Sequence, residues 1–140
     1  MTNSLQSIAK MIDHSLLHPT LTDQDLRQGC KVALACDVAS VCIKPYAVPL
    51  AREMLSGSNV KVGTVVGFPH GNSRIEVKKI EAELAMTDGA EELDVVVNIG
   101  KVLSGDWEYI SAEIRELNET TVRGGVILKV IFENDYLADI

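Results

Sequence analysis

The 140-residue sequence contains only three cysteines, and no two of them form a C-x-x-C pair, so neither a disulfide framework nor a zinc site of that kind is written into it. Cys30 and Cys36 fall in a segment of helical period and read as small buried apolar residues; Cys42 falls on a strand. A basic leader followed by an apolar stretch is missing, and no apolar run approaches the length needed to cross a bilayer. A cytoplasmic chain with no membrane partner is therefore expected. Cations are scarce: 13 Lys and Arg stand against 20 Asp and Glu, and the formal charge of −7 excludes a general attraction to nucleic acid. An anionic metabolite can still be held locally. The G-x-G-x-x-G dinucleotide fingerprint is absent too, since Gly67-Phe68-Pro69-His70-Gly71 lacks the spacing. His14 and His18 lie on a strand and a following loop, so the helical two-His metal arrangement does not apply, and His70 stands alone in a loop.

What is present is an alternation of short β-rich runs with longer segments of helical period, the pattern of a parallel sheet with crossover helices. With 46% hydrophobic and 24% charged residues, the chain has the composition of one globular domain. Leu5, Ile8 and Ile12 mark a short leading helix that runs into a first strand over 11–16, ended by Pro19. The first crossover helix covers 22–37, with Thr22 as N-cap and Asp23 and Asp25 in its first turn. Strand two covers 38–44, a short helix 46–55 carries Pro49 in its first turn, and strand three covers 61–68. Ser73 and Glu76 predict a capping box for the next helix, with Val77, Ile80 and Leu84 as its buried face. Asp88-Gly89 closes it, and strand four follows. A helix over 104–122 is predicted to bury Trp107, Ile110, Ile114 and Leu117, and Arg123-Gly124-Gly125 stops it before strand five.

Five such units fit either an open doubly wound sheet or the front of a (β/α)8 barrel, which normally takes about 250 residues. Polar residues inside the strands decide between them. Leu93, Val95 and Val97 alternate with Asp94, Val96 and Asn98, and Val41 and Ile43 alternate with Ser40, Cys42 and Lys44. Such strands have one face on helices and one on a lumen. The expected fold is α/β, with the parallel (β/α) units of a TIM barrel, about the first five of eight strands, and the barrel incomplete. Residues 1–140 then form the N-terminal part of one barrel domain.

A charge in a water-poor strand is costly unless it is paired or used, so Asp94 and, on strand five, Lys129 are the candidates for chemistry. By parity both project into the lumen from adjacent strands. A lysine beside a carboxylate in a partly desolvated pocket is equipment for Schiff-base and proton-transfer chemistry on carbonyl compounds, and equally for a buried ion pair that only fixes register. Asp13 and Ser15 share a parity on strand one, and Cys42 points inward on strand two. Asn98 and Glu133, at strand ends, either orient substrate or cap helices.

Ile12-Asp13-His14-Ser15-Leu16-Leu17-His18-Pro19, Val41-Cys42-Ile43-Lys44-Pro45, Val65-Val66-Gly67-Phe68-Pro69-His70-Gly71 with Glu76-Val77-Lys78, Glu92-Leu93-Asp94-Val95-Val96-Val97-Asn98-Ile99-Gly100 and Leu128-Lys129-Val130-Ile131-Phe132-Glu133 together resemble the deoxyribose-phosphate aldolases, class I lyases. The likeness covers almost the whole chain. It implies reversible cleavage of 2-deoxyribose 5-phosphate to acetaldehyde and glyceraldehyde 3-phosphate through a lysine Schiff base, with small aldehydes and sugar phosphates as partners and neither metal nor organic cofactor. It implies that Asp94 relays protons through water beside Lys129, with Asp13, Ser15 and Cys42 lining the substrate cavity. In that family the Schiff-base lysine sits on a sixth strand in a Lys-Thr-Ser-Thr-Gly-like motif, which this sequence does not include, so the chain alone is expected to be inactive. Two rivals remain: a non-catalytic half-barrel that self-associates through open sheet edges or docks with a partner chain, and another carbonyl lyase with a similar front half.

Overall fold

The computed structural model describes residues 5–137. A five-residue helix, α1 (Leu5–Ala9), leads into β1 (Asp13–Leu16), so the residues at 11 and 12 expected in the first strand lie before it. Thr22 caps α2 (Asp23–Cys36) with a capping box: Asp25 N–H donates to its hydroxyl, and its own N–H donates to Asp25. Asp37, in the left-handed region, ends that helix. The chain continues through β2 (Ser40–Ile43), a 3-10 turn (Pro45–Ala47), α3 (Val48–Met54) and β3 (Lys61–Val66). Then come α4 (Ile75–Thr87), β4 (Glu92–Val96), α5 (Ile99–Leu103), α6 (Trp107–Arg123), β5 (Ile127–Ile131) and a closing 3-10 turn (Asn134–Tyr136). Among the described residues no helix is long and apolar enough to cross a membrane.

All five strands are parallel and pair in sequence order, β1-β2-β3-β4-β5. Crossovers of one hand between strands that never reverse order place every helix on the same face, the wall of a barrel rather than the two-sided cover of a doubly wound sheet. Register confirms the parity reading. Val41, Val62, Ile43, Leu93 and Val95 belong to the core beneath the helices, together with Leu26, Ala33, Ala51 and Leu117. Asp13 stands opposite Ser40 and Ser40 opposite Lys61; Ser15, Cys42, Gly63 and Glu92 form the next level, and Val65, Asp94 and Lys129 the one above. Those positions face the lumen.

Three helix expectations are corrected. Arg74, not Ser73, is the N-cap of α4, and no side chain caps it; Glu76 instead lies 3.3 Å from the Arg74 guanidinium. The buried face of α4 is Lys78, Ala82 and Ala85, while Val77, Ile80 and Leu84 are exposed. Alanines let the helix axis approach the sheet, and Lys78 is drawn inward by a buried carboxylate described below, which together turn the larger apolar stripe outward. The helix expected over 104–122 is α6 and starts later, at Trp107, because Ser104-Gly105-Asp106 forms a turn and Asp106 caps it; the short α5 before that turn was not expected. Ile110 and Leu117 are buried as expected, whereas Trp107, at the first position of α6, is exposed. Cys30 is buried and Cys36 is not.

The loop from β3 to α4 needs glycine twice. Gly67 has φ +64°, and a Cβ there would lie 2.7 Å from Lys78 Cε; Gly71 has φ +65°, and its Cβ would reach into the Val97 carbonyl at 2.0 Å. A lysine tip can shift but a backbone carbonyl cannot. Gly71→Ala is therefore expected to destabilise the fold by more than about 1 kcal/mol in urea titration, with Gly57→Ala, where the added Cβ meets nothing within 4 Å, as the control for left-handed strain alone. Equal losses in the two would remove the steric argument.

Candidate active site

Strands β1, β2, β4 and β5 bring four of the five sequence-nominated residues into one bonded group. Lys129 reaches across the lumen to strand one: its Nζ donates to Asp13 Oδ2 at 2.8 Å, over a separation of 116 residues. The same ammonium lies 3.0 Å from Glu92 Oε2 and 3.0 Å from Asp94 Oδ1. The Asp94 contact is close in distance but off the hydrogen-bonding direction, so Oδ1 is buried beside a cation without a directed donor. Asp94 Oδ2 accepts the Cys42 thiol at 3.5 Å, and Asp13 Oδ1 accepts the Ser40 hydroxyl at 2.5 Å. Lys61 closes the far side at 3.2 Å from Glu92 Oε1. Ser15 faces the same lumen from β1 but is exposed and outside the bonded group.

Burial opposes the Lys129 charge, but the hydrogen bond to Asp13 and the attraction of the nearby Glu92 and Asp94 carboxylates outweigh it and hold the ammonium above the ordinary lysine range. Such a lysine is a fixed cation and a poor nucleophile. Cys42 is pushed up to about 12, first by burial and then by the Asp94 charge, so it is a thiol at neutral pH and no thiolate nucleophile. For Asp13, burial pushes upward but the Lys129 and Ser40 hydrogen bonds win, and the carboxyl sits below its usual value.

These shifts set opposite pH dependences. Asp13, depressed in the fold, contributes stability that is fully present above about pH 4 and lost as pH falls through its folded value. Lys129, raised in the fold, contributes stability present below about pH 10.4 and lost as pH rises through its folded value. Urea titrations of the wild type and Asp13→Asn between pH 3 and 7 are expected to show a gap that narrows toward acid. A gap independent of pH would mean that Asp13 gains nothing from its partners.

Asn98 does cap: its Oδ1 accepts Lys101 N–H at 3.2 Å at the start of α5. Glu133 takes a left-handed conformation after β5, and His18 bonds Thr20 rather than a ligand set. Sequence reading did not single out Glu92 or Lys61, although Glu92 has the parity of Asp94 two residues on and was findable by that signal. It also missed Lys78 and Glu113. Lys78 Nζ lies 2.7 Å from Glu113 Oε1 and donates to the Val96 carbonyl at 2.7 Å, while Asn98 N–H donates to Glu113 Oε2 at 3.0 Å. Both side chains are buried, at 0% and 1% exposure. This ion pair clamps the exit of β4, two to four residues beyond Asp94.

Similarity to known proteins agrees with this geometry. The model of the DeoC/LacD family aldolase matches residues 7–136. A deoxyribose-phosphate aldolase of Rhodopirellula baltica is 54% identical over 132 residues, which cover 94% of this chain and 55% of that protein. One from Caldanaerobacter subterraneus subsp. tengcongensis is 47% identical over 137 residues, covering 97% and 59%. Among solved structures, the tetrameric deoxyribose phosphate aldolase of Aeropyrum pernix superposes with a TM-score of 0.87 at 31% identity, covering 97% of this chain and 56% of that one. The chain thus spans somewhat over half the length of the relatives it matches.

Proposed function

Because the chain belongs to the DeoC/LacD family of aldolases, we propose that residues 1–140 are the N-terminal part of a single (β/α)8 barrel that cleaves 2-deoxyribose 5-phosphate reversibly to acetaldehyde and glyceraldehyde 3-phosphate. The observation that carries this reading is the lumen cluster, with Lys129 held among Asp13, Glu92 and Asp94. Asp94 is the proton carrier, working through water on the substrate's hydroxyl and on the carbon of the enamine. Lys129 is the cation that holds the three carboxylates oriented around it. Cys42 and Asp13 shape the cavity, and Ser15, exposed on the same face, is a substrate contact.

Schiff-base chemistry needs a neutral amine, and the described lumen lysines are spoken for. Lys129 has three carboxylate neighbours, and Lys61 is paired with Glu92. In this reading the amine that attacks the substrate carbonyl comes from a strand beyond β5. The three cysteines are free thiols, which suits a cytoplasmic location. A homo-oligomer belongs to the same proposal, since the Aeropyrum pernix aldolase is tetrameric.

Acetaldehyde with borohydride tests the assignment. The 140-residue chain is expected to gain no adduct. A chimera that joins it to the C-terminal part of the Rhodopirellula baltica aldolase should gain one, on a lysine of the added part, and should cleave the sugar phosphate. A specific adduct on Lys129 of the short chain would overturn the role given to that residue, and a folded chimera without lyase activity would overturn the substrate.

A further inference from the structure

Lys44 shares the lumen parity of Ser40 and Cys42, yet its charge is not spent in the lumen. It stands one residue beyond Ile43, the last member of β2. By register, two residues past the Ser15–Cys42 and Cys42–Gly63 pairs, it belongs to the layer of Val65, Asp94 and Lys129. Lys61 and Lys129 meet carboxylates. Lys44 Nζ donates instead to two backbone carbonyls, Leu21 at 2.8 Å and Pro19 at 3.2 Å.

Both carbonyls belong to the loop over 17–22 that joins β1 to α2. The ladder between β1 and β2 ends at Leu16 and Ile43, so the loop leaves the sheet at the level where Lys44 stands. Within the loop, Leu21 N–H donates to the His18 carbonyl at 3.1 Å, and the Thr20 hydroxyl bonds His18 Nδ1 at 2.8 Å. Those bonds close a turn on itself without fastening it to the sheet. Lys44 fastens it: an ammonium on a flexible stem, with three donors, can gather two carbonyls that no strand reaches. Tyr46 adds a second strut, its hydroxyl donating to Asp23 Oδ1 at 3.1 Å at the start of α2.

Loops at the C-terminal ends of barrel strands build the mouth of the cavity. This one rises from β1, directly after Asp13 of the bonded cluster and Ser15 of the lumen face, and Leu17 continues their parity at the level of Lys44. Moving the loop moves that wall of the cavity. Asp94 is three strands away on β4 and keeps its own contacts with Cys42 and Lys129. A displaced loop therefore weakens the hold on substrate more than it disturbs proton transfer.

We propose that Lys44 is a positioning residue: by bonding the Pro19 and Leu21 carbonyls it holds the β1–α2 loop as the lip of the cavity, and so sets how tightly the sugar phosphate is held. The inference rests on the lyase reading above, and two measurements test it. In the 140-residue chain, Lys44→Met should speed amide hydrogen exchange of segment 17–22 by about tenfold, and Lys44→Arg, which keeps donors for both carbonyls, should restore most of the protection. In the chimera, Lys44→Met should raise KM for 2-deoxyribose 5-phosphate about five- to tenfold while kcat falls less than about twofold, again with rescue by Lys44→Arg. Should Lys44→Met not fold, Lys44→Ala carries the same expectations. Lys31→Met, which removes an exposed cation of α2, should change neither measurement. Because Lys44→Met also deletes a charge, unphosphorylated 2-deoxyribose separates the two effects. An equal proportional loss of kcat/KM for the neutral and the phosphorylated sugar supports the lip, whereas a loss confined to the phosphorylated one would overturn it in favour of charge attraction. Exchange that does not respond to Lys44→Met, or an active chimera whose KM stays put, would overturn the inference and leave the reaction standing. A folded wild-type chimera that cleaves neither sugar would overturn the reaction and the lip with it, whatever the exchange shows.

Discussion

Lys78→Met is expected to lower the unfolding free energy by about 3–5 kcal/mol, the cost of leaving a buried carboxylate without its cation. Glu113 cannot reach water, because it is 1% exposed and enclosed between α4, α6 and the end of β4. Urea titration measures the loss. Lys79→Met, which removes the partner of Glu116 between the same two helices at a half-exposed site, should cost only about 0.2–1 kcal/mol. The double change Lys78→Met/Glu113→Leu should recover part of the loss but not all of it. The Val96 carbonyl and the Asn98 N–H would still lack partners, at about 1–3 kcal/mol each. Were Lys78→Met no worse than Lys79→Met, the clamp on β4 would be dispensable, and the buried pair would be an accident of packing.

Strand parity was legible because a sheet with one face on helices and one on a lumen writes its two environments into alternate residues. Asp94, Lys129, Asp13 and Cys42 could be brought together from that pattern alone, and the structure places them within bonding distance. The depth of the curl was not legible. That Lys129 spans from β5 to β1 depends on the strand coiling of the whole sheet, which no local spacing encodes. Helix orientation misled for a related reason. Apolar spacing alone assigns Val77, Ile80 and Leu84 to the core, whereas tertiary contact gives the inward face to two alanines and a lysine. Lys78 looks like an ordinary surface lysine until Glu113, 35 residues away, is placed opposite it. Long-range pairs of this kind carry no signature in a single sequence.

Asp94→Asn should cut lyase turnover in the chimera by about 10²–10⁴-fold, the usual contribution of a positioned proton carrier. The amide keeps the shape of the carboxylate and so spares the fold, but it cannot take up a proton. The chain alone offers an independent reading through Cys42. Its thiol is pushed up to about 12 by burial first and by Asp94 second, so removing the charge should lower that value modestly, with burial still holding it above the ordinary thiol range. Alkylation rates measured against pH would follow the shift, with no substrate present. Lys129→Met separates electrostatics from proton carriage, because it leaves Asp13, Glu92 and Asp94 crowded with Lys61 as their remaining cation. Without the Lys129 hydrogen bond and charge the Asp13 carboxyl should rise from its lowered value, so the acid limb of the chimera's pH–rate profile should move to higher pH, while the rate at its alkaline plateau falls less than in Asp94→Asn. An acid limb that stays in place in Lys129→Met would separate that cation from the proton-transfer step and leave it a role in register alone.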